Sequence, residues 1–180
     1  MIGSSSKKVT DTFSSEHEKG VCHLFLSAEA IAAALSGAGI PTQATDEITR
    51  FIWSKMLYNC SLNPLSALLN VPYGRLLDSE STRNLMRRIV QEMFAVAWAN
   101  GIELFWGEPE EYIELLFGRL IPDTAAHYAS MAQDLQAGRR TEIEALNGAI
   151  VRLGEEAGVD CPANAALSEL VRATEQLRSG

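Results

Sequence analysis

Three polar side chains recur at every fourth residue of an otherwise apolar stretch, at Lys55, Asn59 and Asn63. On an α-helix, steps of four residues advance about 40° around the axis, so the three side chains share an arc of roughly 80°. One lysine and two amides on one helix face are compatible with a catalytic stripe. The same spacing also describes the ordinary polar face of a helix. The spacing alone leaves both interpretations open.

A second group of polar residues follows much later in the chain. Ser130 and Asp134 are four residues apart and can face the same way on a helix, and Glu142 begins a new helical pattern after a break at Gly138. Polar side chains at helix ends around a glycine can form the wall of a cleft. Alternatively, Thr141 caps the new helix and Glu142 stabilises the positive end of its dipole. Taken alone, capping explains this segment better than catalysis does.

Helices are the elements that must position both groups. Apolar residues at steps of three and four predict an all-α body, with no convincing alternating strand after residue 45. The predicted helices cover residues 46–70, 79–100, 109–121, 123–136, 141–157 and 163–178. The first is expected to bend at Pro64, because proline lacks the N–H that would bond the Cys60 carbonyl.

The N-terminal part of the chain has a different composition. Residues 3–20 are polar and predict a loop or arm, and the helical pattern that follows ends at Gly37 and Gly39. The apolar run 21–35 is shorter than the ~20 residues of a bilayer span and is interrupted by Glu29. We therefore expect an ordinary amphipathic helix there, without a membrane span or a signal peptide.

Composition and motifs argue against several classes of function. A net charge of −8 disfavours nucleic acid or an anionic membrane as the main partner. The three cysteines lie far apart, which suits a reducing cytoplasm, and His17, Cys22 and His23 supply too few ligands for a zinc site, so no metal is expected. The stretch GAGIPT, residues 37–42, follows a predicted helix rather than a strand, so it does not predict a nucleotide-binding loop.

Together and in this order, the two polar groups resemble the C-terminal domain of ketopantoate reductases (2-dehydropantoate 2-reductases). The first shared motif is W-x-K-x-x-x-N-x-x-x-N-P-x-x-A-L, and a later one is T-E-I-[DE]-x-L-N-G. The matching segments are residues 53–68, 130–134, Gly138-Arg139, 141–148 and 158–162. The resemblance covers about residues 46–178.

This resemblance implies a fold and a reaction. The fold is a helical, bundle-like domain of the 6-phosphogluconate dehydrogenase C-terminal type, here residues 46–180, which packs behind an N-terminal Rossmann domain. The implied reaction is NADPH-dependent reduction of a 2-oxo acid, such as ketopantoate to pantoate in pantothenate biosynthesis. The implied partners are that small substrate and a second copy of the chain, in a homodimer.

The resemblance also implies roles residue by residue. Lys55 matches the general acid that protonates the carbonyl oxygen, and Glu142 matches the carboxylate that orients substrate and lysine. The implied substrate-binding residues are Asn59, Asn63, Ser130 and Asp134. No cofactor-binding residue can be assigned in this chain.

The chain departs from the family because it lacks the G-x-G-x-x-G Rossmann domain. Residues 1–45 are interpreted as a polar arm and the remnant of that domain's end, with a strand at residues 1–3. We expect either a fragment of a longer protein or a truncated gene product, located in the cytoplasm, which binds no NADPH and is inactive alone. The alternatives are a non-catalytic helical dimerisation module and a related 2-oxo acid reductase with another substrate.

Overall fold

The computed structural model describes residues 27–178 of the chain. The predicted strand at residues 1–3, the polar arm, and the group of His17, Cys22 and His23 lie outside these residues. Those expectations stay predictions.

Every regular element in this part of the chain is a helix, and no β-strand occurs in it. The prediction of an all-α fold is confirmed. The α-helices are α1 (Ala28–Gly37), α2 (Ile48–Leu69), α3 (Glu80–Ala99), α4 (Pro109–Leu115), α5 (Ile121–Asp123), α6 (Ser130–Gln136), α7 (Asn147–Ala157) and α8 (Pro162–Arg178). A 3-10 helix covers Tyr73–Leu77, and a π-helical turn covers Leu116–Leu120.

The chain divides into two compact units after Thr45. In the first unit, the hydroxyl of Ser27 caps α1 by accepting a hydrogen bond of 3.3 Å from the amide of Ala30. The second unit, Asp46–Gly180, contains α2 to α8 and both groups of polar residues.

Helix α2 is central to the second unit. It packs against α3, α6, α8 and the 3-10 helix. Leu57, Cys60 and Leu62 are fully buried in these contacts, as expected for a helix that is apolar over most of its circumference. The helix ends at Asn70, which adopts the left-handed conformation with φ 53°. Asparagine tolerates that conformation better than most residues do.

Three further helices complete the core around α2. Helices α3, α7 and α8 pack against one another and bury their apolar faces, including Ile89, Phe94, Ile150 and Leu167. None of the helices within residues 27–178 has both the length and the apolar character needed to cross a bilayer.

Two helices begin later than the periodicity predicts. The first is α6, which starts only at Ser130. The backbone before it forms turns over residues 124–126 and pairs with the 3-10 helix. The amide of Tyr73 donates to the carbonyl of His127 (2.9 Å), and the amide of Gly74 donates to the carbonyl of Ala125 (3.0 Å). These non-local hydrogen bonds compete with the local helical ones, so the predicted first turns do not form.

The second is α7, which begins at Asn147 instead of Thr141. Residues 141–146, which we call the Glu142 turn, form a separate turn because Leu146 adopts φ −100° and ψ −107°. That ψ is far from the helical value, so the helix cannot run through this residue.

One predicted helix end is also displaced. The helix predicted over residues 109–121 continues instead through the π-helical turn and α5, to Asp123. The amide of Ile121 bonds the Leu116 carbonyl five residues earlier. Pro122 then lies in the first turn of α5.

Candidate functional site

Lys55 lies in the first half of α2 with its side chain exposed. Its ammonium forms no hydrogen bond or ion pair with another residue in the described part. After residue 19, Lys55 is the only lysine in the sequence, and the remaining positions with a lysine or arginine are all arginine. A lysine can give up a proton, whereas an arginine guanidinium stays protonated in proteins. Lys55 therefore has the chemistry of a proton donor and no structural ion pair that would occupy it.

The two asparagines on the same face differ in burial. Asn59 is half-buried, and Asn63, one turn further along α2, is only 7 % exposed. The carboxamide oxygen of Asn63 accepts a hydrogen bond of 2.7 Å from the Tyr73 hydroxyl. Its amino group has no hydrogen-bond partner among residues 27–178, so it is available to donate to an oxygen of a ligand.

Tyr73 is a functional candidate that the sequence did not reveal. It is 3 % exposed, and its ring packs against those of Tyr58 (5.9 Å between centroids) and His127 (5.2 Å). Burial, and secondarily the neighbouring Tyr58, raises the pKa of Tyr73 to about 12. The hydroxyl therefore remains a donor at neutral pH and orients the Asn63 amide. The available signal was weak: a buried tyrosine usually finds a hydrogen-bond partner for its hydroxyl.

Helix α6 carries the next two candidates. Ser130 is its first residue and is exposed, and its hydroxyl has no partner in the described part. Asp134 lies one turn later and accepts two hydrogen bonds from the Arg139 guanidinium, at 2.9 and 2.7 Å. This pair closes the turn at Gly138, which has φ +65°. The carboxylate of Asp134 thus already has a structural partner.

Glu142 is exposed on a turn that α8 holds from both sides. Upstream of Glu142, the amide and the hydroxyl of Thr141 both donate to the Glu175 carboxylate at 2.6 Å. Downstream, Arg172 binds both carboxylate oxygens of Glu144, at 2.5 and 3.1 Å. These contacts fix the backbone on which Glu142 stands. The Glu142 side chain itself has no partner among the described residues.

The structure brings the two polar groups onto neighbouring elements. Helix α2, with Lys55, Asn59 and Asn63, packs against α6, with Ser130. Lys55 and Glu142 are not joined by an ion pair. Convergence of all predicted site residues on one ligand stays a prediction.

The glycine-rich stretch at the end of α1 has the wrong setting for a nucleotide-binding loop. The glycines of GAGIPT follow α1, since that helix ends at Gly37, and they therefore lack the strand-to-helix setting of a pyrophosphate loop. Among residues 27–178 there is likewise no group of three or more side chains of the metal-ligand types.

The sequence matches known proteins along the second unit. Residues 47–175 match the family described as ketopantoate reductase PanE/ApbA C terminal. The 2-dehydropantoate 2-reductase of Aquifex aeolicus is 42 % identical over 145 residues, which are 81 % of this chain and 46 % of that protein. The enzyme of the same name from Archaeoglobus fulgidus is 36 % identical over 149 residues, 82 % of this chain and 48 % of that protein. The chain therefore spans about half the length of these curated relatives.

Solved structures of related enzymes also resemble this chain. The PanE/ApbA family ketopantoate reductase from Ralstonia eutropha has a TM-score of 0.76 and 38 % identity, covering 83 % of this chain and 49 % of that one. A D-mandelate dehydrogenase in ternary complex with NADH and anilino(oxo)acetate has a TM-score of 0.75 and 34 % identity, covering 85 % and 62 %. Sequence, fold and the positions of the polar groups lead to one conclusion: the chain belongs to the ketopantoate reductase PanE/ApbA C-terminal family.

Proposed function

We propose that the second unit is the substrate-binding half of a 2-dehydropantoate 2-reductase-type oxidoreductase, which reduces a 2-oxo acid such as ketopantoate to pantoate in pantothenate biosynthesis. One observation carries the proposal. Helix α2 holds Lys55, Asn59 and Asn63 against α6 with Ser130, and the Lys55 ammonium is exposed and without an ionic partner in residues 27–178. A lysine ammonium that forms no ion pair keeps its three donors available for a ligand.

The proposed roles follow from the chemistry of each group. Lys55 donates the proton that converts the developing alkoxide into a hydroxyl, which is general-acid catalysis worth typically 10²–10⁴-fold. Asn59 and the amino group of Asn63 donate hydrogen bonds to substrate oxygens, and the Ser130 hydroxyl faces the substrate carboxylate. Glu142 orients substrate and lysine. Asp134, which accepts two hydrogen bonds from Arg139, is the remaining substrate-binding residue of the proposal.

The hydride must come from a nicotinamide cofactor that is held outside the described residues. The family relationship and the NADH in the D-mandelate dehydrogenase structure support this kind of cofactor. Since the glycines after α1 lack the setting of a pyrophosphate loop, we propose that this chain alone binds no NADPH and is inactive alone. A cytoplasmic location, which the scattered cysteines favour, belongs to the same proposal.

Calorimetric titration of the 180-residue chain with ketopantoate tests the binding role. We expect saturable binding that the Lys55→Ala variant weakens by about tenfold or more, because a hydrogen bond to a charged group contributes about 1.5–3 kcal/mol. The matched control is Arg119→Ala, which removes another exposed cation, one paired with Asp123. Equal affinities for Lys55→Ala and the unaltered chain would refute the assignment of Lys55.

A parallel titration identifies the substrate class. The D-mandelate dehydrogenase relative suggests an aromatic 2-oxo acid as the competitor, so phenylglyoxylate is compared with ketopantoate. We expect the tighter binding with ketopantoate, because the curated relatives are 2-dehydropantoate 2-reductases. Titration with NADPH should give no heat of binding, and micromolar affinity would refute the proposal that this chain alone binds no NADPH.

The second candidate function is a non-catalytic dimerisation module. Ile48, Phe51 and Ile52 in the first turns of α2 are 53–55 % exposed, and the Phe51 ring packs edge-on against Phe105 at 4.8 Å. A group of exposed apolar side chains favours association, and the related ketopantoate reductase from Staphylococcus aureus is described as dimeric. Sedimentation should show a dimer that Phe51→Ser weakens. A monomer at high concentration would exclude this role.

A further inference from the structure

The proline in α2 leaves a buried carbonyl without its helical partner. In a regular helix the amide of residue 64 would donate to the carbonyl of Cys60, but Pro64 has no N–H. Cys60 and Pro64 are both buried, so water cannot replace that donor freely. A buried carbonyl without a partner costs free energy comparable to a lost hydrogen bond.

The side chain of Asn147 supplies the missing donor. Its amino group lies 3.1 Å from the Cys60 carbonyl oxygen and 2.9 Å from the carboxamide oxygen of Asn164. Asn147 is fully buried and is the first residue of α7. Both of its amide protons are used in these two bonds, and its own oxygen has no partner in the described part. Asn147 is therefore oriented so that its amino group donates hydrogen bonds.

A carboxylate at the other end fixes the direction of this chain of hydrogen bonds. Glu92 of α3 accepts from the amide of Ala163 (2.7 Å), and from the backbone amide (3.0 Å) and the side-chain amino group (2.7 Å) of Asn164. The Asn164 amino group must therefore face Glu92, and its oxygen must face Asn147. Asn147 then has to turn its own amino group towards Cys60, because a flipped amide would place oxygen against two acceptors.

We propose that Asn147 is a positioning residue of the candidate site: its amide replaces the N–H that Pro64 lacks and fixes α2 between Asn59 and Asn63. Asn147 directly follows the Glu142 turn, to which α7 is also joined by the 3.0 Å bond from Gly148 to the Ile143 carbonyl. The Asn147 side chain thus links α2, which carries Lys55 and the two asparagines, to the Glu142 turn. The effect on ligand binding rests on the proposed function, whereas the pairing with Pro64 does not.

The pairing predicts a specific rescue. Asn147→Ala leaves the Cys60 carbonyl unsatisfied, whereas Pro64→Ala supplies a backbone N–H that can bond it. We expect the loss in the folding equilibrium constant caused by Asn147→Ala to be about tenfold smaller in a Pro64→Ala background. A double-mutant cycle by urea unfolding of the 180-residue chain measures this coupling.

The matched control is Ser168→Ala. Ser168 is also buried, but its hydroxyl bonds the Asn164 carbonyl within α8, so Pro64→Ala should leave its effect unchanged. Additive effects of Asn147→Ala and Pro64→Ala would overturn the proposal. If Asn147→Ala does not fold, a folded double variant supports the proposal and an unfolded one overturns it.

Two readouts separate positioning from general stability. The backbone amide NMR signals of Asn59 and Asn63 should shift in Asn147→Ala and return in the double variant. Unmoved signals in the folded single variant would contradict positioning. Ketopantoate affinity should follow the same pattern, with a loss of several-fold that the second substitution recovers. If the unaltered chain binds no 2-oxo acid, the proposed function fails, while the cycle and the NMR shifts still decide the role of Asn147.

Discussion

The orientation of one amide decides what Asn63 can offer to a ligand. A carboxamide has a donor end and an acceptor end, and the Tyr73 hydroxyl occupies the acceptor end at 2.7 Å. Because burial keeps the pKa of Tyr73 near 12, the hydroxyl donates at any pH near neutrality. Asn63 is therefore set as a donor, which suits the carbonyl or carboxylate oxygens of a 2-oxo acid.

A pair of tyrosine variants tests this orientation. Tyr73→Phe removes the donor to Asn63, so we expect a loss of about 1 kcal/mol in unfolding free energy and weaker ketopantoate binding. Tyr112 is equally buried, but its hydroxyl has no partner within residues 27–178. Tyr112→Phe should therefore be neutral or stabilising. Equal losses for both variants, measured by urea unfolding, would show that the Tyr73 hydroxyl has no special role.

At the scale of elements, close approach of backbones sets which glycines are needed. A Cβ on Gly154 of α7 would lie 2.7 Å from the Val159 carbonyl oxygen and 2.8 Å from the Cys161 sulfur. A Cβ on Gly118 in the π-helical turn would have no neighbour within 4 Å. The tight return from α7 to α8 therefore requires a residue without a side chain.

The two glycines make a matched comparison. Gly154→Ala should lower the unfolding free energy by about 1–3 kcal/mol, because the backbone at Val159 must move. Gly118→Ala should be neutral or stabilise by up to about 1 kcal/mol, since alanine restricts the unfolded chain and fits the helix. Thermal unfolding of both variants checks the difference, and a harmless Gly154→Ala would refute the close contact.

The ion pair that holds the Glu142 turn makes its stability depend on pH. Hydrogen bonding from Arg172 lowers the pKa of Glu144 below its ordinary 4.5. A lowered folded-state pKa adds stability above the unfolded pKa, and this contribution is lost as the pH falls through the folded value. Both side chains are substantially exposed, so the contribution is less than about 1 kcal/mol.

Glu144→Gln should therefore reduce stability at pH 7 and have a smaller effect at pH 3. Urea unfolding at both values measures the difference. Raised salt at pH 7 should also diminish the effect, since exposed charges are screened. An effect of Glu144→Gln that is the same at both pH values would exclude the ion pair as its cause.

For the whole molecule, the apolar periodicity of the sequence correctly predicted the helices that are formed by local hydrogen bonds. The apolar periodicity indicated every long helix, including α2 with its stripe of Lys55, Asn59 and Asn63. The pattern failed where distant partners compete with local hydrogen bonds. The backbone before α6 bonds the 3-10 helix, and the Glu142 turn bonds α8 through Thr141. No periodicity contains that information.

In the candidate site, too, the sequence predicted some features, whereas others depend on contacts between distant residues. Motif and spacing identified its side chains, and Pro64 predicted a carbonyl in need of a donor. That Asn147 would be the donor, and that Tyr73 would orient Asn63, depends on contacts between residues far apart in the chain or in different elements. Only the folded packing supplies those partners.

The scarcity of lysine has a practical consequence for the folded chain. A protease that cuts only after lysine has one target bond beyond residue 20, between Lys55 and Met56. That bond lies inside α2, and proteases cut extended rather than helical backbone. Cleavage there would report the opening of α2, as a new pair of fragments on a gel. A ligand that engages the helix should slow this cut, which makes limited digestion a direct screen for 2-oxo acids.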